Sequence, residues 1–292
     1  MIYLLLAILF TSSLFLLFRW YSDLKLNIFQ TIVWNYVVCS ITGFIVQRES
    51  LTESLYAKHS DTVLAATLLG SCFLPIFFLM GTSTRLAGIT PTTMANKLSM
   101  IIPAGFALIM GLAPFSWLQI VAILLALISI YIVTKKTTTS SEPRRFNLLP
   151  WLVFISGGLL DLGILYINNT IVTADSSGLF SVHVFVAAAV IGLIVLTSSI
   201  LLKKNTFEWK SIVSGILLGV PNYFSIYFLL KALDHFKNDG SFVFPTMNLS
   251  VIIFTAVISF ILFKEKLTAR IGLGLLVASC SILLLYLNHP AS

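Results

Sequence analysis

Lys97 and Asp161 stand well inside long apolar runs of this 292-residue sequence, where a charge is costly. Lys97 lies seven residues into the run 90–110, about 10 Å along a helix that rises roughly 1.5 Å per residue. Facing a cavity beside Asn96, its ammonium would pair with an anionic or carboxylate group. Snorkelling of the long stem to the bilayer surface is the plain alternative. Asp161 lies about twelve residues into the run 150–168, flanked by Gly157, Gly158 and Gly163, residues that let another helix approach closely. A carboxylate there would bind and release a proton, which makes Asp161 the candidate for proton coupling; a lock to a neighbouring helix or to Lys97 is the competing reading.

Around these charges the apolar runs carry amides and aromatic rings. Trp34, Asn35 and Tyr36 occupy the second run, and Tyr166, Asn168 and Asn169 the end of the sixth. Pro221-Asn222-Tyr223 is expected to interrupt the eighth, because proline removes a donor and frees a carbonyl that neighbours or a wet cavity must satisfy. Pro75 and Pro103 are candidates for the same effect. The substrate-binding candidates are therefore Lys97, Asn96, Asn248, Asn222, Tyr223, Trp34, Asn35 and Tyr166. An interfacial belt position explains Tyr166 equally well. Gly215 and Gly219, four apart, read as a helix-packing signal.

The elements that must hold these residues are apolar helices. The chain is 58% hydrophobic and 10% charged, with a mean hydropathy of +1.00, against about half and a quarter in soluble domains. Runs of roughly 20 apolar residues cross a bilayer core. Ten such runs are read, at 2–18, 28–46, 62–81, 90–110 and 115–134, then 150–168, 178–202, 211–230, 240–263 and 267–287. The fold class expected is an all-α integral membrane protein of ten transmembrane helices. The first run has no basic residue before it and no A-x-A-like site after it, so it is expected to be a retained helix rather than a signal peptide.

Loop charge divides unevenly. Thirteen Lys and Arg follow the odd-numbered runs: Arg19, Lys25, Arg85, Lys135, Lys136, Arg144, Arg145, Lys203, Lys204, Lys210, Lys264, Lys266 and Arg270. Arg48, Lys58, Lys231 and Lys237 follow the even ones. The positive-inside rule then places both termini outside. It also accounts for the net charge of +7 without nucleic acid as a partner.

The chain also repeats itself. Leu98-Ser99-Met100-Ile101-Ile102 in the fourth run recurs as Leu249-Ser250-Val251-Ile252-Ile253 in the ninth, which aligns Asn248 with Lys97. Five helices per copy is an odd number, so a second copy enters the bilayer from the opposite face. That is the inverted repeat of many secondary transporters, with the substrate held near the midplane between halves. The organisation expected is 1–134 as the first five-helix repeat, 135–149 as a basic linker and 150–292 as the second repeat.

From Tyr223 to Tyr286 the sequence resembles the end of an EamA-type domain of the drug/metabolite transporter superfamily. The resemblance centres on Phe263-Lys264-Glu265-Lys266-Leu267-Thr268 followed by Gly272, a Glu-x-Leu-Thr turn with a Gly four residues on. Pro103 matches a proline often found in that family's fourth helix. The first half departs from the pattern: Pro114 stands where the acidic residue would align. The resemblance implies transport of a small polar or amphiphilic metabolite (amino acid, sugar or drug-like) across the cell membrane, and it implies cytoplasmic termini, against the charge count. It also gives Asp161 a place comparable to the acidic residue in the first helix of the small multidrug-resistance relatives. The first-half counterpart of that position holds only Thr11, Ser12 and Ser13.

Other classes fit less well. The four histidines (His59, His183, His235, His289) are scattered and no P-loop occurs, so neither an enzyme nor a nucleotide-driven pump is expected, and no cofactor or metal. Cys39, Cys72 and Cys280 fall inside the runs, which argues against a disulfide framework. An integral-membrane enzyme or a channel remains the alternative. The partners expected are a small-molecule substrate, the lipid bilayer and protons, with the chain a monomer or homodimer.

Overall fold

The computed structural model describes residues 1–47, 60–109, 117–134, 148–170, 177–204, 206–236, 240–264 and 268–288. Among them are eleven helices and no strand: α1 Ile2–Asp23, α2 Ile28–Gln47, α3 Ser60–Ala87, α4 Ile89–Leu98, α5 Ile101–Ile109, α6 Trp117–Thr134, α7 Leu148–Thr170, α8 Ser177–Leu201, α9 Trp209–His235, α10 Gly240–Phe263 and α11 Ala269–Asn288. Seven of them (α1, α2, α3, α6, α8, α9 and α10) are long and apolar enough to cross a membrane. In α7 and α11 the apolar stretches are shorter, Leu148–Gly163 and Ala269–Leu284. The outer faces are apolar as well as the core: Leu5, Leu68, Leu124, Ile194, Ile261 and Leu276 are all exposed. An apolar exterior of this extent has no favourable partner in water but matches lipid chains. The chain thus has the character of a multi-pass membrane protein.

Of the interruptions expected at proline, the one at Pro103 is met and those at Pro75 and Pro221 are not. The fourth run is not one helix: α4 stops at Leu98 and α5 starts at Ile101. The eighth run is not interrupted, since α9 passes through Pro221 without a break. Between α3 and α4 the chain turns on Gly88 alone, at φ 101° and ψ 166°, a backbone region open to glycine. The expected linker is outside the described residues from 135 to 147, as are Glu265, Lys266, Leu267 and Pro114.

Helix contacts come in pairs. α2 packs on α9 and α3 on α8; α1 packs on α9 and α3 on α7; α1 meets α10, while α4 and α5 meet α7. The atoms repeat this with a constant shift along the chain. A Cβ on Gly43 would meet Val182 and Tyr223, and one on Gly192 would meet Val33 and Leu74. Each residue of the second set lies 149 positions (192 − 43) from its mate in the first. Likewise a Cβ on Gly70 would lie 2.7 Å from the Val184 carbonyl, and one on Gly219 would lie 2.7 Å from the Asn35 carbonyl. Tyr36 and Phe185, mates under the same shift, stack on each other at 6.2 Å. Where α6 crosses α11, Ser129 Oγ donates to the Gly274 carbonyl (3.1 Å) and Ser281 Oγ to the Ala122 carbonyl (2.7 Å). That pair exchanges under a shift of 152 (281 − 129).

Candidate functional site

Pro103 accounts for the break between α4 and α5. Its ring nitrogen carries no proton, so it cannot serve the Ser99 carbonyl four residues earlier. The Ile102 N–H takes that carbonyl instead, at 2.9 Å, in a tighter turn. In the repeated segment Phe254 stands at the equivalent position and keeps its N–H, and α10 runs on unbroken. The broken segment sits among other helices: α4 touches α1, α3, α6, α7, α10 and α11.

Four of the residues singled out above gather at the break. Lys97 lies in the last turn of α4, where the negative end of the helix dipole favours a cation. Its charge acts on the Asp161 carboxylate across the α4–α7 contact. Asp161 Oδ2 accepts a hydrogen bond from Ser99 Oγ at 3.1 Å, and the same hydroxyl lies 2.6 Å from the Asn96 carbonyl. Gly157 makes the approach possible, because a Cβ there would sit 3.2 Å from Ser99 Oγ and 3.6 Å from Asn96 Nδ2. Gly158 takes Ile102 in the same way, whereas Gly163 has only ordinary contact with Leu69. From the other side, Asn248 Nδ2 points at Met100 Sδ, 2.6 Å away. Lys97 and Asp161 are both half-buried as whole residues.

A second group forms where α2 crosses α9. Asn222 Nδ2 donates to Asn35 Oδ1 at 3.2 Å, and Cys39 Sγ lies 3.3 Å from the Gly219 carbonyl. Tyr223 is buried beside them, against Gly43. Asn35 Nδ2 and the Trp34 indole N–H are buried without a hydrogen-bond partner. Gly215 and Gly219 admit Trp34 and Asn35 at this crossing, the packing role read from their spacing. Tyr166, on α7, is 67% exposed, unlike the buried or half-buried residues of either group.

Ser99 was not singled out from the sequence, although it lies within the repeated segment. The signal was a proline four residues ahead of it, opposite a Gly-Gly pair. A shift of 149 carries Asp161 back to Ser12, which is fully buried with a hydroxyl that has no partner. Charge is therefore built into one of two equivalent helix contacts and left out of the other. Among the described residues no group of three or more His, Cys, Asp or Glu is placed to hold a metal ion.

No family model matches the chain. It is similar to an uncharacterized protein from Haemophilus influenzae, 25% identical over 260 residues that cover 88% of each chain. One solved crystal structure has the same fold at 11% identity, with a TM-score of 0.59 over 97% of this chain and 99% of that one.

Proposed function

We propose that the chain is a secondary carrier of the EamA type, moving a small polar or amphiphilic metabolite across the cell membrane by alternating access. Its spans number ten, with α4 and α5 together forming the fourth, and they divide into two five-helix halves of opposite orientation. The exchange of contacts under a constant shift supports that division, because a two-fold relation between halves of odd span number requires an axis in the membrane plane.

The observation that carries the carrier reading is the broken helix between the halves, with Lys97 and Asp161 beside the break. Discontinuous helices at bilayer depth are tolerated where their freed backbone lines a cavity, and ionisable groups there mark substrate or proton pathways. Lys97 binds an anionic or carboxylate part of the solute, Asn96 and Asn248 supply amide contacts, and Asp161 carries the coupling proton. The Asn35–Asn222 group lies at the second crossing between halves, where it meets the solute as the halves rock.

Flux in proteoliposomes tests this reading. A carrier gives saturable, gradient-dependent uptake; a channel gives non-saturating flux, and product formation without flux would point to an enzyme. A solute panel scored by thermal stabilisation of the purified protein identifies the cargo. Binding that survives unchanged in Lys97→Ala would remove Lys97 from the site.

A further inference from the structure

A cavity lies away from these groups, at the level where α1, α3 and α8 end and α2 and α9 begin. It is an open cleft of about 610 Å³. One part of its lining is apolar: Phe29 and Phe78 meet edge to face at 6.1 Å, and Phe78 and Val195 are 41% and 45% exposed on the outer surface. The other part carries Lys25, Arg85 and Glu208. We propose that this cleft binds one anionic phospholipid, its phosphate held between Lys25 and Arg85 and its acyl chains laid along Phe29, Phe78 and Val195.

Three observations support this ligand class. A water-soluble anion leaves the apolar wall uncovered and a neutral lipid leaves the cations unanswered, so an anionic amphiphile is the chemistry that meets both. The wall is also preformed: Gln30 Nε2 donates to the Thr206 carbonyl (2.6 Å) and Gln30 Oε1 accepts from the Glu208 N–H (3.1 Å), which ties the start of α9 to α2. Finally, Lys25 sits at φ 52°, in the left-handed region where a helix end ordinarily takes glycine. Its N–H bonds the Ser22 carbonyl and the Leu26 N–H bonds the Tyr21 carbonyl, which is the Schellman end of α1. Lys203 and Lys264 hold the same conformation after α8 and α10, at φ 55° and 52°. A strained backbone that keeps a cation where glycine would relax it points to a use for the charge. Arg19, one turn before the end of α1, is taken up by Asp23 at 3.4 Å.

The test titrates purified protein in neutral detergent with phosphatidylglycerol, phosphatidylcholine or inorganic phosphate, reading the thermal midpoint. Phosphatidylglycerol is expected to raise it saturably, and the other two to leave it unmoved. Lys25→Gly and Arg85→Ala are each expected to weaken phosphatidylglycerol about fivefold, the worth of one basic residue at an anionic surface. Lys25→Gly keeps or raises the lipid-free midpoint, since it relieves the left-handed backbone, so loss of lipid binding there is not loss of folding. Glu208→Gln, which removes a carboxylate that lines the cleft, is expected to tighten binding. Unchanged phosphatidylglycerol affinity in both cation variants would overturn the site. Equal stabilisation by inorganic phosphate would overturn the lipid in favour of a free anion. Equal loss of solute flux in Arg85→Ala with or without phosphatidylglycerol would make the cleft a pathway mouth and overturn it as well.

Discussion

Ser99 donates a hydrogen bond to Asp161 across 62 residues of chain, joining the broken fourth segment to α7 at the place where Gly157 lets the two backbones approach. Lys97 and Asn96 lie on the same side of the break. If this contact fastens the pathway in one conformation, removing it changes transport more than folding. Ser99→Ala leaves the Asp161 carboxylate without its direct donor, a loss of about 1.5–3 kcal/mol for a hydrogen bond to a charged group. The expected outcome is altered uptake with the solute's affinity retained, read as separate changes in maximal rate and half-saturation.

Asp161→Asn keeps the shape and the Ser99 contact while removing the titrating group. Uptake driven by an imposed proton gradient should fall to the undriven rate, whereas counterflow of labelled solute against unlabelled should persist. A driven rate equal to the parent's would assign Asp161 to packing.

Pro103→Ala restores an N–H four residues after Ser99, which can take the Ser99 carbonyl from Ile102 in an ordinary helical bond. The segment is then free to run as one helix, as α10 does with Phe254. Higher thermal stability with slower flux is expected, because healing the break removes the jointed segment. An increase in flux would show that the joint is not used in the cycle.

Gly70 and Gly219 make equivalent approaches to a facing carbonyl. Adding a methyl to either forces the facing helix away, at a cost of about 1–3 kcal/mol, so Gly70→Ala and Gly219→Ala should lower the thermal midpoint by similar amounts. Gly272, where a Cβ meets nothing within 4 Å, is the control: alanine there is expected to gain about 0.5–1 kcal/mol of helix stability. Unequal losses at the two paired glycines would count against equivalent halves.

Asn35→Leu alone leaves the Asn222 amide without its acceptor and should cost about 1–3 kcal/mol, while the double variant with Asn222→Leu should recover most of it. A double-mutant cycle on thermal stability measures this coupling. Additive losses would mean that the amides act independently of each other.

Much of the architecture was legible in the sequence because lipid leaves the chain few choices. Apolar runs of spanning length must be helical where no water can satisfy the backbone, and a helix, or the α4–α5 pair, occupies each of the ten runs read. The ends were harder to read: α3 extends to Ala87 rather than 81 and α9 to His235 rather than 230, since helices continue past the hydrophobic boundary until a turn residue such as Gly88 stops them. Proline met expectation at one place and not at the others. Pro103 ends α4, whereas Pro221 lies within an unbroken α9 and Pro75 within an unbroken α3. The residue type is the same, so proline by itself does not decide whether a helix breaks.

By itself, then, the sequence determined an apolar helical chain with a repeated segment, two charges inside apolar runs and basic residues gathered behind the odd-numbered runs. Composition and spacing are local properties, and they suffice for those statements. Tertiary structure alone decided which polar residues meet. It set Lys97, Asn96, Asp161 and Asn248 around the break, placed Asn35 with Asn222 at another crossing, and left Tyr166 exposed. It also showed the charge-bearing contact at Asp161 and its uncharged mate at Ser12. Those pairings depend on how closely helices approach, and a glycine's missing Cβ has meaning only when the facing atom is known.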